Sequence, residues 1–142
     1  MKLLHSYHSE RKLMGRLNHG SDLLGELTEL VTREKINTGT FSVIGAVKKG
    51  AISYYNQESK EYKTMTFNEH LEILSCTGNI SLKDGQPFIH CHIIFGDSTG
   101  KCLGGHLAKG TEIFAGELYL EELVGPVLSR SYDDTTGLGL WS

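Results

Sequence analysis

His90 and His92 alternate within the run Phe88-Ile-His-Cys-His-Ile-Ile-Phe95, and His106 follows in Gly104-Gly-His-Leu107. Neutral imidazole is a good ligand for zinc and related divalent ions. Three imidazoles with a fourth position left open form a donor set used by catalytic zinc. Structural zinc more often takes four ligands, thiolates among them. Three histidines that converge therefore predict a preformed site for a divalent metal, and zinc is the ion they point to. The alternative is a polar cavity that the same histidines line without metal.

Convergence depends on the elements that carry them. Residues 88–95 are β-branched and aromatic and end in turn signals, so they predict a strand. Side chains alternate across a strand, which puts His90, His92 and Ile94 on one face. Ile89, Cys91, Ile93 and Phe95 share the other, apolar face, and Cys91 belongs there as a small hydrophobe. Asp97-Ser-Thr-Gly100 predicts a turn, and Lys101–Leu107 the returning strand. With the turn centred on Thr99, Phe95 faces Leu103 and His92 faces His106. His90 is then a diagonal neighbour within reach. A slip of one residue would send His106 to the opposite face. Cys102 shares the histidine face but lies too far along the strand to join the set. Gly104-Gly105 marks a bulge or a close backbone approach.

The rest of the chain supplies a frame for this hairpin. Lys12–Leu17 predicts a first strand. Ser21-Asp22 signals a helix start. Leu23, Leu24, Leu27, Leu30 and Val31 then make one apolar face of a helix over about 22–35. Strands are expected at Phe41–Val47, Ala51–Asn56, Tyr62–Phe67 and Thr111–Leu123, with Lys48-Lys49-Gly50 as a turn. A longer strand is expected at Leu71–Leu82, bulged at Gly78. Within the tail, residues 124–142, the stretch Ser131–Trp141 is expected to be irregular yet packed, and Trp141 is the chain's one tryptophan. One helix and about seven strands predict an α+β domain with a mostly antiparallel sheet. Neither a Gly-rich phosphate loop nor a Ser- or Cys-centred nucleophile motif is visible. His5, His8 and His19 have no clear partners.

Composition fits one ordinary globular domain of 142 residues and 15.7 kDa, 39% apolar and 22% charged. A net charge of −3 argues against strong non-specific DNA binding, which depends on Lys and Arg neutralising phosphates. No window reaches the roughly 20 apolar residues of a membrane span, and the first residues lack a signal-peptide core. Three cysteines without framework spacing predict free thiols and a cytoplasmic location.

The order of these motifs resembles a known family. The capped helix, Phe41-Ser-Val-Ile-Gly-Ala-Val47 and Leu71-Glu-Ile-Leu-Ser-Cys-Thr-Gly-Asn-Ile-Ser81 come first. Pro87-Phe-Ile-His-Cys-His92, Gly104-Gly-His-Leu107 and Thr111-Glu-Ile-Phe-Ala-Gly-Glu117 follow. Over about residues 13–123 this is similar to the PPC (plants and prokaryotes conserved) domain, also called DUF296. The resemblance implies a sheet flanked by a helix, assembly as a homotrimer, and a histidine motif at His90, His92 and His106 that binds zinc in some members. It also implies similarity of fold to acetolactate decarboxylase, a zinc enzyme with a three-histidine site. Plant members carry AT-hook DNA-binding motifs, and prokaryotic ones are often labelled DNA-binding. An AT-hook needs an Arg-Gly-Arg-Pro core, and neither Pro87 nor Pro126 follows one.

Three functions are compatible with these features. One is a homotrimeric, metal-stabilised module for regulation or for a protein or small-molecule partner. The second is a zinc enzyme of lyase or hydrolase type acting on a small polar or carboxylate substrate, with Asn79, Glu112 and Glu117 as its candidate acid, base or polar groups. The third is DNA binding, which rests on the family label.

Overall fold

The computed structural model describes residues 3–142. Among these are β1 (His8–Leu17), α1 (Leu23–Arg33), β2 (Gly39–Asn56), β3 (Glu61–Phe67), β4 (Leu71–Lys83), β5 (Gln86–Gly96), β6 (Cys102–Leu107), β7 (Glu112–Val124), β8 (Ser129–Asp133) and β9 (Leu138–Trp141). All strands belong to one sheet, ordered β1-β7-β2-β6-β5-β4-β8-β9, with β3 paired to β2. The class is α+β, as expected, with nine strands among the described residues in place of about seven.

β2 organises the sheet. Its first part, Gly39–Val47, lies between β4 and β7, and its far end pairs with β3 and β6. Because β2 meets both β4 and β6, strands β2, β4, β5 and β6 close a ring. The turn expected at Lys48-Lys49-Gly50 is absent, and the strand runs straight through it. Two lateral interactions explain this. Lys48 and Lys49 reach Glu112 on the neighbouring β7, at 2.9 and 3.8 Å. Gly50 is a glycine for packing reasons: a Cβ there would sit 2.7 Å from the Phe95 ring. The bulge expected at Gly78 falls instead between Ile73 and Ser75. Gly78 itself lies in register, in close contact with β5.

α1 starts one residue later than its signal because Asp22 is the cap. The Gly25 N–H donates to Asp22 Oδ1 at 2.8 Å, and the Gly110 N–H donates to Oδ2 at 2.6 Å. The helix ends before Lys35, whose φ of 57° is left-handed. Leu23, Leu27 and Val31 are fully buried, and Leu24 and Leu30 pack partly buried beside them. Burial of each such side chain contributes roughly 1.5–3 kcal/mol. The helix packs on β5 and so covers the apolar side of the histidine strand. Asp22→Ala should cost about 1–2 kcal/mol, because one carboxylate satisfies both the helix end and the loop before β7. Urea denaturation would measure it.

The tail is regular where irregularity was expected. β8 and β9 form a hairpin, and β8 pairs in parallel with the end of β4, which makes the sheet mixed. The turn is built by Asp133, whose Oδ2 accepts from the Thr136 N–H at 2.8 Å and the Thr136 hydroxyl at 2.7 Å. Gly137 completes it at a φ of 73°.

Candidate metal centre

Period-two alternation places His90 and His92 on one face of β5, with Ile89, Cys91, Ile93 and Phe95 buried on the other. The β5–β6 register pairs His92 with His106 and Phe95 with Leu103, as the turn geometry predicts. That register is locked at the turn. Asp97 Oδ1 accepts from the Thr99 N–H, the Thr99 hydroxyl and the Lys101 N–H at 2.8, 2.7 and 3.0 Å. These bonds hold the Asp97 carboxyl below its usual pKa, the Thr99 hydroxyl first among them. Gly104 and Gly105 are a close backbone approach. A Cβ at Gly104 would meet the Ile93 carbonyl oxygen at 3.0 Å, and one at Gly105 the Ser53 carbonyl oxygen at 3.0 Å. β6 can therefore pass between β5 and β2.

The three rings converge. One ligand nitrogen from each of His90, His92 and His106 can be chosen so that all lie within 4.8 Å of one another. His92 Nε2 and His106 Nδ1 are 3.1 Å apart. Two Zn–N bonds of about 2.05 Å at a tetrahedral angle require an N–N separation of roughly 3.3 Å. The donor chemistry and spacing thus fit a divalent ion such as zinc. Cys102 is exposed at the far end of β6, and Cys91 is buried beside Cys76, whose hydrogen bond and shared burial raise the Cys91 thiol pKa. Neither belongs to the set.

Protonation favours metal binding. His90 is half-buried, and burial, followed by the charges of His106, Arg130 and His92, lowers its pKa to about 4. Burial, then His92 and Arg130, also lowers that of His106. Both rings are neutral near pH 7, the state a metal ligand requires. The sign for stability follows from linkage. Above pH 6.5 folded and unfolded chains both carry neutral rings. Between 6.5 and about 4 the unfolded chain takes up protons that the folded chain resists. Metal-free protein should lose stability as pH falls through that window, and His90→Asn should flatten the loss. Urea midpoints at pH 7 and 4.5 would test it.

Sequence reasoning named three polar candidates beside the histidines. Asn79 does border the site: it pairs with His90 across β4–β5 and accepts from Arg130 Nη2 at 3.1 Å. Glu112 and Glu117 do not. Both stand on β7, which β2 separates from β6. Glu112 is held by Lys48, and Glu117 pairs with Ile44, far along β2 from the Ser53–His106 pair. Missed altogether were Tyr62, whose ring centroid lies 5.5 Å from that of His106, and Arg130. With His90, His106, Lys83 and Phe88 they line a pocket of about 480 Å³, closed on one side by the β8–β9 hairpin. The cue was the turn signature Asp133-Asp-Thr-Thr-Gly137 just before the apolar run Leu138-Gly-Leu-Trp141, a hairpin that brings Arg130 back over β4.

A model of the Plants and Prokaryotes Conserved (PCC) domain matches residues 4–124. The chain belongs to this family. The structure is similar to that of a metal-containing protein of Archaeoglobus fulgidus, at a TM-score of 0.94 and 38% identity over 99% of both chains. A plant- and prokaryote-conserved protein of Pyrococcus horikoshii gives 0.93 and 35% over 99% of this PCC chain and 96% of its own. A protein of Bacteroides thetaiotaomicron whose name proposes DNA binding gives 0.86 and 29% over 96% of each chain. Among curated proteins, the bifunctional protein GlmU of a Synechococcus strain is 30% identical over 124 residues. Those residues are 86% of this PCC chain but only 19% of that protein.

Proposed function

We propose that this PCC-domain protein is a homotrimeric, cytoplasmic zinc module that captures a small ligand at an open coordination position and so serves regulation or partner binding. The observation that carries this is the convergence of His90, His92 and His106 at the mouth of a pocket. The metal-containing relative from Archaeoglobus fulgidus supports a metal in such a chain. Exposed apolar side chains at Met14, Ile44, Leu74 and Phe114 support assembly, since each would gain from being covered. Three free thiols fit a reducing compartment. Among the described residues no helix is long and apolar enough to cross a membrane.

Ligand capture is favoured over turnover by one feature. Proton transfer at a zinc-bound substrate needs a positioned acid or base, and among the described residues no Asp or Glu lines the pocket, which leaves Tyr62, Tyr132 and Lys83 as the groups beside the histidines that could carry a proton. The second function, a zinc-dependent lyase or hydrolase for a small carboxylate, draws on the open metal position and on Tyr62 beside His106. DNA binding draws only on relatives' names, and three copies would triple a charge that is already −3. Native mass spectrometry of untagged protein tests the module: three chains carrying three zinc ions are expected. A metal-free monomer would contradict it. Salt-dependent retention of a DNA duplex would move the assignment to nucleic acid.

A further inference from the structure

Arg130 is the one guanidinium in the pocket beside the histidines, and its setting is unusual. Nε donates to the Ser81 hydroxyl at 2.9 Å, Nη1 to the Gly139 carbonyl at 2.9 Å and Nη2 to the Asn79 side-chain oxygen at 3.1 Å. All three acceptors are neutral. Five N–H donors minus these bonds leave one on each terminal nitrogen. The flat group is held near two rings, 5.2 Å from the Phe88 centroid and 5.6 Å from that of Trp141. Among the described residues no carboxylate forms an ion pair with it. The second charged residue of the pocket, Lys83, is also a cation and lies 5.3 Å from the Phe88 centroid. Among the described residues, an acidic chain has therefore gathered two cations and no carboxylate around one cavity.

A half-buried cation without a counter-ion is costly unless something supplies the charge. A metal placed among the histidines would add two further positive charges. We infer that the pocket is a receptor for a small oxyanion, carboxylate or phosphate, whose charge is met by Arg130 and whose other end reaches the metal position. This deepens the function proposed above and rests on it for the metal contact alone. Arg130 orients the ligand, because its fork is fixed before the ligand arrives. Lys83 adds a flexible second charge at the rim. The hairpin that carries Arg130 lies beyond residues 4–124, so the oxyanion contact comes from outside the segment that defines the family. A purely structural strut would be satisfied by the three hydrogen bonds. It would not require the surrounding pocket to be free of acids.

Calorimetric titration of zinc-loaded and metal-free protein with glycolate, methyl glycolate and inorganic phosphate tests this, with zinc content measured on each sample. Glycolate or phosphate should bind at least about tenfold more tightly than the uncharged ester. Arg130→Gln should weaken that anion about tenfold to a hundredfold with zinc content unchanged, and Arg130→Lys should recover part of the loss. Should Arg130→Gln fail to fold, the comparison of glycolate with its ester on the wild type decides alone. Equal affinity in a folded Arg130→Gln, an ester as tight as glycolate, or no binding of either anion would overturn the inference. A wild type that takes up no zinc when zinc is supplied, yet binds glycolate through Arg130, would contradict the metal module and uphold the receptor. One zinc per chain with neither anion bound would do the reverse.

Discussion

Chelation of the metal should lower the melting temperature of the wild-type protein by about 10 °C, while His106→Ala should melt at one temperature with or without chelator. The size follows from mass action. A ligand of the folded state at a thousandfold its Kd contributes about 4 kcal/mol, and a domain of this length shifts by about 2–4 °C per kcal/mol. His106 is the informative position because its nitrogen is 3.1 Å from that of His92 and its ring 4.7 Å from that of His90, centroid to centroid. Its loss leaves two donors on one strand, too few to hold the ion firmly. Differential scanning fluorimetry with and without chelator measures both proteins.

Gly78→Ala should destabilise by about 3 kcal/mol or more and should reduce metal affinity as well. A Cβ at this position would lie 2.5 Å from Cys91 Cβ, 2.5 Å from the His90 carbonyl oxygen and 2.7 Å from Phe41 Cζ. Two of these neighbours are fixed by the β5 backbone and cannot swing aside, so the strand must shift. The shifted segment is the one between His90 and His92, and the ligand nitrogens move with it. Gly85→Ala is the matched control for added bulk, since a Cβ there meets nothing within 4 Å, though its φ of 74° brings a backbone penalty of its own. Urea unfolding and a zinc competition titration would separate the two effects.

The three-histidine cluster was legible because it is local. Alternation on one strand and a four-residue turn determine where His90, His92 and His106 point, and no long-range contact is needed to bring them together. Cys91 was assigned to the core by the same alternation. Misreadings came where a residue type has two uses. Gly50 reads as a turn but is a concession to the Phe95 ring, and Gly78 reads as a bulge but makes room for Cys91. Each contact joins residues distant in sequence, so no local pattern announces it. Glu112 and Glu117 were expected on a strand that could border the site, but β7 does not adjoin β6. The sheet instead inserts β2 between them. Arg130 was missed for a related reason: its place depends on β8 pairing in parallel with β4, a long-range union of short segments.

Zinc content of untagged protein, wild type beside His92→Ala, is the most direct test of the central claim. His92 is exposed on the sheet face, so its replacement should leave the fold intact while breaking the three-nitrogen set. About one zinc per chain in the wild type and close to none in the folded variant is the predicted result. Equal metal in both, or none in either after zinc is added back, would contradict a three-histidine centre and leave a pocket that histidines merely line.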